Sequence, residues 1–402
     1  MYNYDVIVIG AGPTGLSFGS RFKGKFMIFD MGNPISKRDH DDSIDSLIGA
    51  GGAGLFSDGK YSFYPAGTKI WDLTGIEYSY ESLSNDIKKY IPDIPDFTKK
   101  SIINQNNKDS GYFDWKLKKY PCYYVPLDKR KEMINDLCSK IPEESLKFRH
   151  QVMSYQKIST GYIICVKNLI TGKIFDVRTK IIICAGGRFF PLYMNSININ
   201  TNKIFRRIEY GVRVIGNVNN KTMKIANNDL LDPKFIKTKG DIEYRTFCWC
   251  IDAETVLTNH LGIKTYSGRA DCPSTGISNF GFNTRIKKES KDVEKYVNKL
   301  KSIKPFEIPI KDVDKIVDYY GKGLGKPLIN GLKSLLEEHP DLKDTKLQGP
   351  TIEGVGYYPD IDSNLKIKGE NIYCGGDNSG IFRGIIASML SGYWLSTHIK
   401  IN

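Results

Sequence analysis

The sequence predicts an α/β fold in which a three-layer dinucleotide-binding domain with a parallel sheet carries an inserted α+β domain. Three observations support this prediction. An apolar strand followed by GxGxxG opens the chain, a strand–glycine–helix unit lies near residue 375, and short strands with turn signals fill residues 146–187. Because these segments are far apart in the chain, the domain is expected to be discontinuous.

The N-terminal motif is YDVIVIGAGPTGLSFGSRF, in which residues 6–9 form the apolar run of a strand buried on both faces. The glycines after it permit a tight turn and let a pyrophosphate approach the backbone where a helix begins. The expected contacts here are Gly10, Gly12, Pro13, Thr14 and Gly15. The next strand, KFMIFD, ends in Asp30, at the spacing of an acid that accepts hydrogen bonds from ribose hydroxyls. An acid there disfavours NADP, since it repels a 2′-phosphate.

Two later segments favour FAD over NAD. Residues 146–187 are expected to form a β-meander that ends in the returning strand IIICAGG, and the late unit around Gly376 and Asp377 is typical of the segment that closes an FAD site in Rossmann-type flavoproteins. A nicotinamide dehydrogenase needs neither feature. The expected contacts in these segments are Val152, Ala185, Gly186, Gly187, Gly376, Asp377, Gly380 and Ile381.

Five further stretches carry specific motifs: GGAGLFSDGK (51–60), YGVRV (210–214), RTFCWC (245–250), GPTIEGVGYYPDID (349–362) and GGDNSGIFRGIIASMLSGY (375–393). With the N-terminal motif, they resemble a family of bacterial and archaeal FAD-dependent dehydrogenases whose substrate is unassigned. The resemblance covers most of the chain. It implies an FAD-binding domain with an inserted second domain, and it implies no particular reaction.

The glycine-rich loop is expected to pass beside the flavin ring in such proteins. Gly51, Gly52 and Gly54 would let backbone N–H groups reach the flavin or the substrate without a Cβ clash, and the expected cofactor contacts in this loop are Gly52, Ala53 and Gly54. Ser57 and Lys60 could then donate to flavin N5 or O4, or to an anionic substrate, with a neighbouring aspartate orienting the lysine. The alternative is a structural turn.

Other candidate catalytic groups lie later in the chain. Arg383 follows the late glycine motif, where a cation would stabilise a reduced, anionic flavin, although it could also be a phosphate or surface arginine. His260 is a candidate general acid or base, or a structural histidine. Strand alternation places Cys248 and Cys250 on one face, either as core residues or bordering the flavin. Tyr357 and Tyr358 could line the pocket.

Several absences restrict the chemistry. Residues 40–70 contain no cysteine, which excludes the disulfide reductases, and no second strand–GxGxxG–helix marks a separate NAD(P)H domain. The eight cysteines show no paired CxxC spacing, so no metal site is expected. The electron donor or acceptor is not identified by the sequence.

The FAD-binding domain is expected to comprise 1–70, 121–190 and 345–402, and the substrate domain 71–120 and 191–344. Within the second block, LDKRKEMINDLCSKI predicts a helix with Met133, Ile134 and Leu137 on one face and Asp128 as its N-cap.

The composition predicts a cytoplasmic protein without a membrane segment, since no apolar run reaches the roughly 18 residues that span a bilayer. The net charge of +13 is compatible with a nucleic-acid partner, but lysines and acids are interleaved, so such a partner is not favoured.

The sequence therefore predicts an FAD-dependent oxidoreductase, a dehydrogenase or reductase, that moves a hydride between flavin N5 and an organic substrate that is small and could be anionic. Two alternatives stay open: a flavoprotein that modifies tRNA or another nucleic acid, and a flavin-binding partner protein without turnover.

Overall fold

The computed structural model describes residues 2–96, 115–199 and 201–401. Its strands are β1 (Tyr2–Ile9), β2 (Phe26–Phe29), β3 (Lys60–Ser62), β4 (Lys116–Lys118), β5 (Cys122–Tyr124), β6 (Leu146–Lys147), β7 (His150–Ile158), β8 (Gly161–Asn168), β9 (Ile174–Cys184), β10 (Lys203–Asn217), β11 (Lys234–Lys239), β12 (Ile242–Cys250), β13 (Glu254–His260), β14 (Ile263–Arg269), β15 (Ile277–Ile286), β16 (Phe306–Pro309), β17 (Lys346–Pro359) and β18 (Ile372–Cys374). Its helices are α1 (Pro13–Gly19), α2 (Ile76–Ile87), α3 (Leu127–Ser139), α4 (Phe190–Tyr193), α5 (Val293–Ser302), α6 (Ile316–Glu338) and α7 (Ile385–His398).

The first sheet is built around the N-terminal strand. β1 pairs in parallel with β2 and β9, and β6 and β18 extend the sheet in parallel. β7, β8 and β9 form an antiparallel meander in the same sheet. Val6, Ile7 and Val8 are fully buried, as expected for a strand that is covered on both faces. This topology, together with the second domain described below, confirms the predicted fold class.

Helices α1 and α7 pack against each other beside this sheet. Their contact is close at Gly392, where a Cβ would stand 2.2 Å from the backbone oxygen of Thr14. The hydroxyl of Thr14 donates to the carbonyl of Ser388 over 2.9 Å. These contacts hold the N-terminus of α7 beside the turn that follows β1.

Helix α3 buries the face that the sequence predicts, since Met133, Ile134 and Leu137 lie inside the protein. Its predicted N-cap is wrong. Pro126 occupies the N-cap position and Asp128 lies in the first helical turn, where a carboxylate favours the positive end of the helix dipole.

The second sheet is antiparallel, with the strand order β16-β17-β10-β15-β12-β11-β4. One face packs on α6, where Tyr210 donates to the carbonyl of Leu324 over 2.7 Å and Tyr320 donates to the carbonyl of Gly211 over 2.5 Å. The opposite face of the second sheet is turned toward the first domain and carries charged side chains. Strand alternation separates the two sets, because successive side chains point to opposite faces.

Two predicted domain boundaries differ from the structure. The predicted boundary at residue 345 places β17 in the FAD-binding domain, but β17 pairs with β10 and β16 in the second sheet. Helix α2 was assigned to the substrate domain, but Leu83 and Ile87 are buried in the first core. Neither boundary coincides with a change in composition or a linker. Residues 97–114 of the predicted substrate domain lie outside the described residues.

In the described part of the chain, no helix combines the length and the apolar character that crossing a membrane requires.

Candidate functional site

A cavity of about 600 Å³ lies between the two sheets. On one side it is lined by the turn after β1, the glycine-rich loop, the end of β9 and the N-terminus of α7. On the other side it is lined by the charged face of the second sheet, from β10, β11, β12 and β15. Both the expected nucleotide-binding elements and the second domain therefore contribute to a single space.

The three glycines of the N-terminal motif have different roles. Gly10 has a φ of +112°, and a Cβ on it would stand 2.6 Å from the carbonyl oxygen of Ala185, so this position requires glycine. A Cβ on Gly15 would stand 2.0 Å from the carbonyl oxygen of Gly10, which allows α1 to start close to the strand. A Cβ on Gly12 would meet only the Cα of Gly52, at 3.9 Å, so open cavity lies in front of Gly12.

Asp30 lies at the end of β2 and is buried at the cavity wall. Its carboxylate accepts from the backbone N–H groups of Ala11, at 2.7 Å, and Gly32, at 2.8 Å. Burial raises the pKa of Asp30, while these hydrogen bonds and the Arg38 guanidinium act in the opposite direction. The carboxylate is thus fixed beside the turn after β1, and each oxygen keeps a lone pair for a further donor.

Most of the predicted cofactor-binding residues meet at this cavity. Those that line it are Gly10, Gly12, Pro13, Thr14, Asp30, Gly52, Ala53, Gly54, Ala185, Gly186, Gly187, Gly376, Asp377 and Ile381. Gly15, Val152 and Gly380 do not. Val152 is buried within the meander, paired with Val166, and a Cβ on Gly380 would meet the ring of Tyr358 at 2.5 Å.

Two arginines that sequence reasoning missed hold the glycine-rich loop in place. Arg38 donates to the carbonyls of Ala50, at 2.6 Å, and Gly52, at 2.9 Å. Arg130 is fully buried in α3, donates to the carbonyl of Ser57 over 3.0 Å, and forms an ion pair with Asp271. The loop is therefore fixed by two cations from outside it, one shortly before it in the chain and one from α3.

Within this loop, Ser57 is turned toward its own backbone. Its hydroxyl donates to the carbonyl of Gly54 over 2.9 Å and accepts from the N–H of Gly59 over 3.4 Å. Ser57 nevertheless lines the cavity. Its contacts stabilise the turn.

Lys60 connects the loop to the second domain. Its ammonium lies 3.6 Å from a carboxylate oxygen of Asp58 and 3.8 Å from one of Asp232, and it donates to the carbonyl of Trp249. Burial alone would lower the pKa of Lys60, but the two carboxylates outweigh it and the pKa is raised. Lys60 is therefore a buried cation at the cavity wall whose protein partners include two carboxylates.

The two cysteines of β12 lie beside this cation. Cys248 has a φ of +51° and sits in a β-bulge, yet the thiols of Cys248 and Cys250 are neighbours, as the sequence predicts. The hydrogen bond between the thiols lowers the pKa of Cys250, and Lys60 and Arg213 lower it further against the effect of burial. Asp58 completes a cluster with the two thiols. The adjoining ammonium and guanidinium groups disfavour a metal cation there.

Arg383 lies at the start of α7, also at the cavity wall. Its guanidinium pairs with the carboxylate of Glu353, lies 3.2 Å from Asp377, and donates to the backbone carbonyl of Glu353 over 3.0 Å. Burial opposes its charge, but these carboxylates raise the pKa of Arg383, so the group stays protonated. Asp377 also accepts from the N–H of Gly384 over 3.4 Å.

His260 lines the cavity near its edge, with its ring centre 5.3 Å from that of Phe189 and 5.6 Å from that of Tyr193. Burial and the nearby Arg188 lower its pKa to about 4, so the imidazole is neutral at pH 7. The two tyrosines after the GPTIEGVG stretch do not line the cavity: Tyr358 is buried and Tyr357 donates to Glu289 over 2.7 Å.

The charged face of the second sheet is the largest part of the site that sequence reasoning missed. Its cavity-lining residues are Lys118, Arg207, Glu209, Arg213, Asp232, Lys234, Arg245, Arg285 and Glu353. A signal is present in FRRIEYGVRV, where Arg207, Glu209 and Arg213 alternate with apolar residues. Which other strands join this face depends on the sheet order, which the sequence does not reveal.

No protein-family model matches this chain, and no curated protein matches it. Solved structures with a related fold include a geranylgeranyl bacteriochlorophyll reductase-like protein from Thermoplasma acidophilum, with 13% identity over 98% of this chain and 77% of that chain and a TM-score of 0.46. A flavoprotein/dehydrogenase from Cytophaga hutchinsonii has 13% identity over 100% of this chain and 80% of that chain, with a TM-score of 0.44. The myxobacterial chondrochloren halogenase, described as a variant of FAD-dependent halogenases, has 9% identity over 99% and 72% and a TM-score of 0.42. These similarities are distant, and the function of this chain must rest on its own residues.

Proposed function

We propose that this chain is an FAD-dependent oxidoreductase that acts on an organic substrate bound between its two sheets. The observation that carries the proposal is the open space in front of Gly12, which continues through one cavity to Asp30 at one end and to the N-terminus of α7 at the other. A flat dinucleotide with a pyrophosphate in its middle fits such a space.

The residues present suit FAD. The backbone around Gly12 and Thr14 would receive the pyrophosphate, since no side chain fills the space there. The fixed carboxylate of Asp30 would accept from the ribose hydroxyls. Asp377 and the start of α7 would lie toward the flavin, and Gly384, whose Cβ would meet nothing within 4 Å, leaves room for a ring.

FAD, when bound, supplies the capacity to exchange a hydride with a substrate at N5. The chain's own contribution is to position the substrate and to exclude water from the cavity. Arg383, Lys60 and the charged face of the second sheet surround the space that remains for that substrate. Their charge favours negative charge on the substrate or on the reduced cofactor.

Cofactor release tests the proposal. The purified protein should be yellow and should release FAD when denatured. Gly12→Val should abolish retention, because its side chain would fill the space that the pyrophosphate needs. Thr160→Val is the control, since it also places a valine in a turn, and Thr160 is exposed between β7 and β8, away from the cavity.

Both variants should fold, as judged by circular dichroism, and only Gly12→Val should lose FAD. Recovery of NAD in place of FAD, or a wild-type protein that binds no flavin after soaking with FAD, would disprove the proposal.

A further inference from the structure

The cavity wall formed by the second sheet carries more positive charge than its carboxylates neutralise. Glu209 accepts from Arg285 over 2.8 Å and from Arg207 over 3.1 Å. Glu243 accepts from Arg245 over 2.5 Å and from Lys287 over 3.1 Å. Glu209 on this wall and Glu243 beside it are therefore already shared among four cations, and Asp232 on the wall pairs with Lys60.

Two lysines on the same wall remain outside this network. Lys118 on β4 and Lys234 on β11 are direct partners in the register of the sheet, so their side chains leave neighbouring positions on one face. Both line the cavity. We call Lys118 and Lys234 the lysine pair.

Among the described residues, neither ammonium of the lysine pair forms an ion pair with a carboxylate. Lys118 donates to the hydroxyl of Thr68 over 3.2 Å, and the Lys234 ammonium lies 5.1 Å from the centre of the Tyr120 ring. Like charges at directly opposed positions of a sheet destabilise it. Burial lowers the pKa of Lys234 against the opposing attraction of Asp232. Burial, followed by Lys234, Arg245 and Arg285, lowers the pKa of Lys118.

The wall thus contains two neighbouring cations that repel each other in the ligand-free protein. Both face the cavity, which a ligand can enter. Thr68, which Lys118 contacts, lies in the loop next to Gly67, and a Cβ on Gly67 would stand 3.3 Å from the backbone oxygen of Arg383. The lysine pair is therefore on the side of the cavity that holds the start of α7, where the proposed function places the flavin.

We propose that the lysine pair binds an anionic group of the substrate, a carboxylate or a phosphate, and so fixes the substrate against the second sheet. This inference rests on the proposed function for the position of the substrate. One anionic group accepts from both ammonium groups, which replaces their mutual repulsion with two charge-assisted hydrogen bonds.

A binding role and a structural role of the lysine pair have different effects on the melting temperature. If the lysine pair stabilised the fold, Lys118→Met and Lys234→Met would each lower the melting temperature. Lys234 also attracts Asp232, so the melting temperature of Lys234→Met does not separate the two roles. If the pair exists to bind an anion, Lys118→Met should raise the melting temperature of the ligand-free protein at low ionic strength, because it removes like-charge repulsion. The same substitution should weaken anion binding.

Isothermal titration calorimetry on the protein as purified provides the test, with sulfate as a phosphate-like probe, succinate as a dicarboxylate and succinamide as its neutral analogue. We expect wild-type protein to bind sulfate or succinate but not succinamide, and which of the two binds more tightly distinguishes the two chemistries. Each single variant should bind at least about tenfold more weakly. Lys333→Met removes an exposed lysine that pairs with Asp314 and should leave binding unchanged.

A wild-type protein that binds neither anion would overturn the inference, as would lysine-pair variants that bind like wild type or a Lys333→Met variant that loses binding equally. FAD content is measured separately on every sample. Absence of FAD would disprove the proposed function, whereas anion binding by the same protein would still report on the lysine pair.

Discussion

At the scale of single residues, Lys60 is a cation that the protein itself holds closely. Its side chain is 9% exposed, and the two carboxylates near it, Asp58 and Asp232, have side chains that are 14% and 11% exposed. Burial opposes ionisation of Asp232, but Lys60 and Lys234 lower its pKa below the usual value. The ammonium therefore offsets the cost of holding two carboxylates inside the protein.

Lys60→Met should leave Asp58 without its cation and Asp232 with the Lys234 ammonium alone. Breaking a buried pair costs about 3–5 kcal/mol, so we expect the free energy of unfolding at pH 7 to fall by about 3 kcal/mol. In wild type the lowered pKa of Asp232 gives stability that is present above about pH 4 and lost in stronger acid. The variant's deficit should shrink as the pH falls, because protonation removes the unpaired charge.

Urea unfolding between pH 4.5 and 8 measures this deficit, and Lys60→Met combined with Asp232→Asn should recover part of the loss. The contrary result is a Lys60→Met variant with an unchanged free energy of unfolding and a flavin midpoint potential that is lower by tens of millivolts. That result would contradict the role in stability and indicate that Lys60 acts on the flavin, as the sequence suggests.

Lys118 gives a second expectation at this scale, on the pH dependence of anion binding. Its pKa is lowered to about 8 by burial and by Lys234, Arg245 and Arg285, against a smaller opposing effect of Glu243. An anion needs the protonated ammonium, so sulfate affinity should fall as the pH rises from 7 to 9. Sulfate keeps its charge between pH 7 and 9, so a change in its affinity reports the titration of a group on the protein.

Calorimetric titrations at pH 7, 8 and 9 should show this decline in wild type and a flatter profile in Lys118→Met. An equally steep decline in the variant would assign the titration to another group. The rest of the charged wall contributes arginines, which carry their charge throughout this pH range, and the carboxylates of Glu209, Asp232 and Glu243.

Residue-scale prediction from sequence succeeds where the determinants are local. Gly12 and Asp30 were identifiable because a strand, a turn and a helix fix their spacing within 20 residues. The partners of Lys60 and Arg130 were not, because Lys60 contacts the carbonyl of Trp249 and Arg130 contacts Asp271, each more than 100 positions away in the chain. Such pairings depend on how the two sheets face each other.

At the scale of elements, the contact between α1 and α7 determines the geometry of the cavity floor. Gly392 lets the helices approach until its Cα lies beside the backbone of Thr14, and Thr14 lines the cavity. A change in the spacing of these helices therefore moves the turn after β1 relative to the start of α7.

Gly392→Ala tests this contact. Helix propensity alone favours alanine by about 1 kcal/mol, but the added Cβ would stand 2.2 Å from the Thr14 oxygen and 2.9 Å from the Cβ of Ser17. Overpacking of this kind costs about 1–3 kcal/mol. We expect lower stability and weaker FAD retention, measured by urea unfolding and by FAD release.

Thr397→Ala on the exposed side of α7 is the control and should change neither the stability nor the FAD retention by much. A Gly392→Ala variant that is more stable than wild type would show that the helices separate without cost.

The elements themselves were largely predictable, but their allocation to sheets was not. The strand in GPTIEGVGYYPD is evident from its composition, yet its position just before the late glycine motif suggested the first domain. The structure places β17 between β10 and β16, so the chain completes the second sheet before it returns to the first.

At the scale of the whole molecule, the proposed function assigns the cofactor to the first sheet and the substrate to the second. In the part of the chain that the structure describes, parallel strand pairs occur in the first sheet alone, so no second dinucleotide-binding unit is present there. A nicotinamide cofactor would have to enter the cavity that the substrate uses.

We therefore expect slow reduction of the bound flavin by NADH or NADPH in anaerobic stopped-flow experiments, with a rate that does not saturate at millimolar concentrations. Rapid, saturable reduction by either nucleotide would contradict this expectation. A screen of organic acids for flavin bleaching under the same conditions serves as the positive comparison, because it supplies reductants of the class that the lysine pair would bind.

The path of the chain through the first sheet has a consequence for biosynthesis. β9 ends at Cys184, but β18, which pairs with its last three residues, begins only at Ile372. As the polypeptide leaves the ribosome, the edge of β9 that β18 later covers therefore stays unpaired while β10 to β17 are translated. An apolar edge left open in this way can associate with other nascent chains. The yield of native protein should accordingly depend on translation speed and on chaperone supply more than the stability of the finished molecule would suggest.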